Sequence, residues 1–356
     1  MNATKQKIRP MEWIMNAVFF ICGFVAIVFV LFISIYLIIS GLPAIREIGL
    51  VDFLFGREWA STASDPKFGI LPFILTSIYG TCGAIILGVP VGFMTAVFLA
   101  KVAPPKLAAV VRPAVDLLAG IPSVVYGLVG MMVLVPAVRK AFDLPDGASL
   151  FCAIIVLAIM ILPSIISVSE TALKAVPPEY EEASLALGAT HIETVFRVSV
   201  PAASSGIAAA VVLGIGRAIG EAMAIIMVAG NVANMPSLFS SVRFLTTAVA
   251  SEMAYASGLQ RQALYSIALV LFIFIMIINI VLNTLLKRKK RCAEYGREQN
   301  HRAAPLRPPG RGGRDLRHRV FRGKLRVFRL PAAAGPRAGG GLCPPCRLPD
   351  GPGRAL

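Results

Sequence analysis

The feature that most constrains this chain is an unbroken apolar run from Ile14 to about Leu42, preceded by Lys5, Lys7 and Arg9. A helix needs about 20 mainly apolar residues to cross a hydrocarbon core of about 30 Å. A cleaved secretory signal has an apolar core of only about 7–15 residues, with small residues at the cut. This run is longer and ends Ile38-Ile39-Ser40-Gly41-Leu42, so it reads as a membrane anchor and first span. Six segments meet the same requirement, at about 14–41, 70–100, 115–138, 149–170, 202–230 and 263–286. Lipid offers no partner for backbone N–H and C=O groups, so spanning segments are helices or closed barrels. Long apolar runs without strand punctuation select helices. The expected fold is all-α, a polytopic transmembrane helical bundle with six spans. The third and fifth runs are interrupted by Gly, Pro and charge.

Composition agrees. The chain is 56% hydrophobic and only 15% charged, too little polar surface for a soluble domain of 356 residues. The net charge of +16 invites a nucleic-acid reading, but residues 1–290 carry only +5 of it and residues 291–356 carry +11. No nucleic-acid partner is expected; lipid surrounds the body. Basic residues in short flanking loops set orientation. The N-terminus, the 101–114 loop (Lys101, Lys106, Arg112), the 171–201 loop (Lys174, Arg197) and Lys287–Lys290 fall on one side with twelve basic residues, against seven on the other. The bias places both termini in the cytoplasm.

The segment 291–356 is a different material. It holds 14 Arg, one Lys, 9 Pro and 11 Gly, whereas the body uses Arg and Lys ten times each. Such a stretch cannot bury enough surface to order itself and is expected to be a disordered tail. Its abrupt change of Arg/Lys usage is what a GC-rich gene read out of frame past Lys290 would produce. Cys343-Pro-Pro-Cys346 has CxxC spacing but no second pair, so no metal site is expected. Cys22, Cys82 and Cys152 lie in apolar runs, where cysteine acts as a small hydrophobe.

The longest connection on the expected cytoplasmic side, 171–201, has two parts. Helix formers follow Pro177-Pro178, with Glu179, Glu181 and Glu182 in the opening turn, where acidic groups suit the helix dipole. Gly188 supplies a stop, a second short helix is expected from about Thr190 to Arg197, and Pro201 opens the next span. Glu182-Ala183-Ser184, then Gly188, then Val198-Ser199-Val200-Pro201 resembles the EAA loop of ABC importer permeases, with Ser184 for the second Ala, Val198 for Ile and Val200 for Leu. The resemblance implies that this helix–turn–helix seats in a cleft of an ATPase subunit and passes its closure to the spans. The chain has no GxxxxGK[ST] phosphate loop, so it does not hydrolyse ATP by that device. No nucleophile–base pair or metal cluster marks an enzyme, and His191 is the body's sole histidine.

Charge inside the membrane is the remaining signal. Arg217 lies near the middle of the fifth run, where an Arg costs about 2.5–3.5 kcal/mol on insertion scales and faces protein or water. Arg217 and Glu221, at i and i+4, are expected to share a helix face and pair. A guanidinium also holds a tetrahedral oxyanion through two parallel hydrogen bonds, so the pair serves either an anion path or helix packing. In the third run, Gly120-Ile121-Pro122-Ser123-Val124-Val125-Tyr126-Gly127 interrupts the helix ladder. Freed backbone groups and the Ser123 and Tyr126 hydroxyls would line a pathway, or a kinked helix would simply pack.

That stretch, with Arg217-Ala218-Ile219-Gly220-Glu221-Ala222-Met223-Ala224 and Met227-Val228-Ala229-Gly230-Asn231, resembles the phosphate importer permeases of PstC type over residues about 10–290. The resemblance implies a type I ABC importer permease in a bacterial inner membrane. It implies a second permease (PstA-type), an ATPase dimer (PstB-type) and a periplasmic phosphate-binding protein (PstS-type), the last docking on loops 42–69 and 231–262. No cofactor is expected on this chain; ATP and Mg belong to the ATPase. Permeases for sulfate or molybdate, and an ion-coupled secondary transporter, remain alternatives on the residues alone.

Overall fold

The computed structural model describes residues 10–303, with side chains over 15–282 and at 284. In chain order come α1 (Pro10–Ile48), α2 (Leu50–Phe55), the antiparallel hairpin β1 (Trp59–Ala60) and β2 (Lys67–Phe68), and α3 (Leu71–Val97) with a π-turn at Phe98–Val102. Then follow α4 (Pro105–Gly120), α5 (Ser123–Val129), a π-turn at Gly130–Leu134, α6 (Val135–Ala141) and α7 (Leu150–Lys174). After them run α8 (Pro178–Ala186), α9 (His191–Thr194), a π-turn at Val195–Ser199 and α10 (Val200–Ala202). The described chain closes with α11 (Ser204–Gly220), α12 (Met223–Val228), α13 (Leu245–Glu252) and α14 (Gly258–Ala303).

The chain divides into two units, Met1–Leu282 and Asn283–Leu356. Helix α14 continues through Arg291 to Ala303, beyond the point where the composition predicts disorder. The rest of that tail, including Cys343 and Cys346, lies outside the described residues.

Among the described residues, Met15–Ile48, Leu71–Val102, Ser123–Ala141, Leu150–Lys174 and Gly258–Leu282 are long and apolar enough to cross a membrane. The sixth span is the bent pair His191–Ala202 and Ser204–Gly220, which turns by 71°. Two expected spans are corrected. The third starts at Ser123 rather than 115, because Pro122 has no N–H to continue the ladder and 115–120 belongs to α4. The fifth is not one helix over 202–230: α11 stops at Gly220, Glu221 is extended, and α12 starts afresh at Met223.

Helix α7 is the axis of the bundle, with 61% of its most apolar window buried. It is capped by Ser149, whose side chain accepts from the Cys152 N–H. Its neighbour α3 buries Gly80, Ala84, Gly88, Gly92 and Ala96 on one stripe. Lipid tails are as apolar as leucine, so helices in a membrane associate through close packing, which small residues permit. Ile161 of α7 fills the space over Gly88, and Ile165 that over Gly92. The same two isoleucines meet Gly214 of α11 from the other side. A second core under the β-hairpin gathers Phe53, Phe68, Ile70, Phe73, Leu245 and Leu264.

Candidate functional site

Two regions carry the polar groups that the bundle positions. The first is built on α11, whose Ala210, Gly214 and Ala218 are buried. That leaves Ala209, Val212, Leu213, Gly216 and Arg217 along an open cavity of about 730 Å³, lined also by Ser164 of α7 and Asn279 of α14. Arg217 forms no ion pair among the described residues. Its expected partner is turned away: Glu221 lies past the helix end, with φ −73° and ψ 131°. The Glu221 carboxylate instead accepts from the Ala224 N–H at 3.1 Å, and its carbonyl accepts from the Thr246 hydroxyl at 2.8 Å. The i, i+4 pairing rule therefore does not apply, because it assumes an unbroken helix. Glu221 serves the start of α12, and the guanidinium is left to the cavity.

The α4–α5 break sits beside this region. The Leu118 carbonyl would accept from residue 122 in a continuous helix, and Pro122 has no hydrogen to give. The Tyr126 hydroxyl donates to it at 2.7 Å, restoring the lost bond. Tyr126 also lines a separate apolar cavity of about 390 Å³ between α5–α6 and α7. Ser123 begins α5 and lines neither of these two cavities. Of the four pathway candidates, Arg217 lines the first cavity and Tyr126 the second, while Ser123 and Glu221 line neither. The structure adds Ser164 and Asn279. Asn279, a lone amide in Ile277-Ile278-Asn279-Ile280, was the available signal.

The second region is the loop between α7 and α11. Gly188 has φ +89°, a left-handed conformation that closes the turn after α8. Thr190 then opens α9 in a capping box: its hydroxyl accepts from the Glu193 N–H at 3.3 Å, and the Glu193 carboxylate accepts from the Thr190 N–H at 3.1 Å. The second helix is not a plain helix from Thr190 to Arg197, since the π-turn Val195–Ser199 intervenes before Pro201 in α10. Ser184 bonds Thr194 at 2.9 Å and so ties α8 to α9. Glu182 is exposed, Ala183 and Ser184 are half-buried, and Leu187 and Ile192 present apolar side chains outward.

Sequence reasoning placed Glu181 only in a helix's first turn. In the structure Glu181 pairs with Lys101, beyond the end of α3, and accepts from the Ser199 hydroxyl at 2.8 Å. A second charge cluster lies between the middle of α4 and the end of α7. The largely buried Glu170 carboxylate takes Arg112 at 2.6 Å and Lys174 at 2.5 Å, while Arg112 also reaches the Leu99 carbonyl at 3.3 Å. At the hairpin end, Glu252 binds Arg243, Gln260 and the Trp59 indole, and Arg243 donates to the Asn231 carbonyl at 2.7 Å. Glu170 and Lys174 have the i, i+4 spacing of a helix pair, whereas Arg112 with Glu170 and Trp59 with Glu252 come from distant parts of the chain and no spacing motif announces them.

Comparison with known proteins follows the same lines. Residues 88–291 match the family described as binding-protein-dependent transport system inner membrane component. The chain is 38% identical over 274 residues to a probable ABC transporter permease protein, YqgH, of Bacillus subtilis, covering 76% of this chain and 89% of that one. It is 36% identical over 281 residues to the phosphate transport system permease protein PstC of Haemophilus influenzae, covering 72% and 88%. Among solved structures, a chain of a bacterial alginate ABC transporter aligns with a TM-score of 0.54 at 17% identity, covering 80% of this chain and 96% of that one. A chain of the MetNI methionine ABC transporter aligns at 0.50 and 20%, covering 62% and 95%. At these identities the structures speak for the fold alone.

Proposed function

This chain belongs to the family of binding-protein-dependent transport system inner membrane components, and from that membership we propose that it is the PstC-type permease subunit of an ATP-driven importer of inorganic phosphate. It forms the translocation path with a PstA-type permease. A PstB-type ATPase dimer, using ATP and Mg, engages the loop at Glu182, Ala183, Ser184 and Gly188. A PstS-type binding protein delivers phosphate to the loops 42–69 and 231–262, which the Glu252–Arg243 cluster holds together. Both termini lie in the cytoplasm.

The observation that carries the substrate is Arg217: a membrane-level guanidinium with no carboxylate partner among the described residues, facing a cavity with a hydroxyl and an amide. A guanidinium kept free in low dielectric at insertion cost is what a tetrahedral oxyanion requires for a two-point hydrogen bond. Affinity resides mostly in the binding protein, so this site binds phosphate weakly.

The test is phosphate uptake in membranes reconstituted with the partner subunits, comparing wild type, Arg217→Gln and a chain ending at Lys290. Arg217→Gln is expected to assemble and to lower uptake by about tenfold or more, the loss of one charge-assisted contact. Unchanged uptake would reduce Arg217 to a packing residue. The shortened chain is expected to match the full one. Competition by sulfate or molybdate equal to that by unlabelled phosphate would move the substrate to another oxyanion.

A further inference from the structure

Glu182, the acidic residue of the loop motif, is exposed and faces outward. Its neighbour Glu181 faces inward and holds two elements at once. One oxygen, Oε1, takes both the Lys101 ammonium and the Ser199 hydroxyl. Those side chains sit on two different π-turns, Phe98–Val102 after α3 and Val195–Ser199 before α10. A π-turn inserts one residue into the helical register and recurs at functional sites. Here two such turns, whose Lys101 and Ser199 stand 98 positions apart, share one carboxylate oxygen, which ties both of them to α8. The Lys101 and Glu181 side chains are 13% and 22% exposed, which leaves little water to screen the pair. Ser199 is fully buried, so its hydroxyl has no solvent to replace Glu181.

We propose that Glu181 is a positioning residue for ATP coupling: through Lys101 and Ser199 it fastens α8 to the end of α3 and to the entry of α11. A push on the exposed face of α8 then moves the second and fifth spans together. Without the tie, the push reaches the spans along the backbone, through Val176-Pro177 on one side and the Leu187–Ala189 turn on the other, and through the Ser184–Thr194 bond to α9. The inference rests on this chain being an ABC permease, and it is independent of which anion is carried.

The test uses the assembled transporter in proteoliposomes with loaded binding protein and ATP, reading anion imported per ATP hydrolysed and subunit co-purification. Glu181→Gln and Lys101→Gln are each expected to assemble and hydrolyse ATP while the ratio falls by roughly tenfold, the weight of one charge-assisted contact. The exchange variant Lys101→Glu/Glu181→Lys is expected to return most of the ratio, which a side chain that merely aids folding would not do. A wild-type ratio in Glu181→Gln overturns the proposal, as does a loss of import and hydrolysis in equal proportion. Should Glu181→Gln fail to assemble, Ser199→Ala decides: a lowered ratio supports the tie and an unchanged one overturns it. A wild-type transporter that imports no phosphate would sink the substrate reading instead, and the ratio is then read on the anion it does import.

Discussion

At the scale of single residues, Glu181 and Arg217 show how one property, net charge, acquires opposite uses from its surroundings. Arg217 is left without a carboxylate among the described residues, whereas Glu181 is surrounded. Burial works against the Glu181 charge, but hydrogen bonds from Lys101 and Ser199, with the Lys101 and His191 charges in the same direction, hold its carboxyl below its usual value. A carboxyl whose folded pKa is lowered contributes stability that is complete above the unfolded value and is lost as pH falls through the folded one. The α8–α10 segment is therefore expected to keep its protection at neutral pH and to loosen only under acid, below the ordinary glutamate range. Amide exchange over residues 178–202, corrected for the intrinsic pH dependence of exchange, measures it. Glu181→Gln is expected to flatten the profile; a variant that keeps the acid transition would assign it to another group, with Glu193 next in line.

At the scale of elements, the bundle depends on how closely α3 approaches α7. A Cβ added at Gly88 would lie 2.7 Å from the end of Ile161 and 3.1 Å from the Ala158 carbonyl. The side chain can rotate away and the backbone cannot, so Gly88→Val is expected to destabilise by about 1–3 kcal/mol. Thermal unfolding of the purified complex checks this, and Ile161→Val added to Gly88→Ala is expected to recover part of the loss. Elements also show what the sequence can disclose. The first, second, fourth and sixth spans were legible because their apolar runs are uninterrupted, so length alone defines them. The third and fifth were placed but misdrawn. Hydropathy runs on through Gly120-Ile121-Pro122 and through Gly220-Glu221-Ala222, while the backbone does not. The loop was legible as a motif because Gly188 and Pro201 have local roles. Its anchorage was not, since three glutamates crowd one turn and the partners that select which of them turns inward, Lys101 and Ser199, lie 80 positions before Glu181 and 18 after it.

At the scale of the molecule, α1 stands apart from the rest. The most apolar window of its span has no buried residue, and Phe20, Phe24, Ile27 and Leu31 all face outward. In water that surface would force association; in lipid it costs nothing, because the surrounding tails are equally apolar. The family match also begins at residue 88, within α3, and leaves α1 outside it. What joins α1 to the body lies at its C-terminal part: Ala44 is buried in the second core with Ile45 and Ile48 beside it, Tyr36 and Tyr265 of α14 meet edge to face with hydroxyls 3.1 Å apart, and the Ser266 hydroxyl donates to the Gly41 carbonyl at 2.6 Å. A Cβ at Gly41 would lie 3.0 Å from the Ser266 backbone, so the approach depends on the missing side chain. The two faces of α1 are thus expected to respond differently. The combination Phe24→Leu, Ile27→Leu and Leu31→Ile should change stability by less than about 0.5 kcal/mol per site and leave uptake intact. Gly41→Leu should cost about 1–3 kcal/mol and separate α1 from α14. Cysteine pairs at positions 36 and 265 would report that separation as a lost crosslink while the α3–α7 contact persists. Equal sensitivity of both faces would mean that another subunit, and not lipid, covers the outward side of α1.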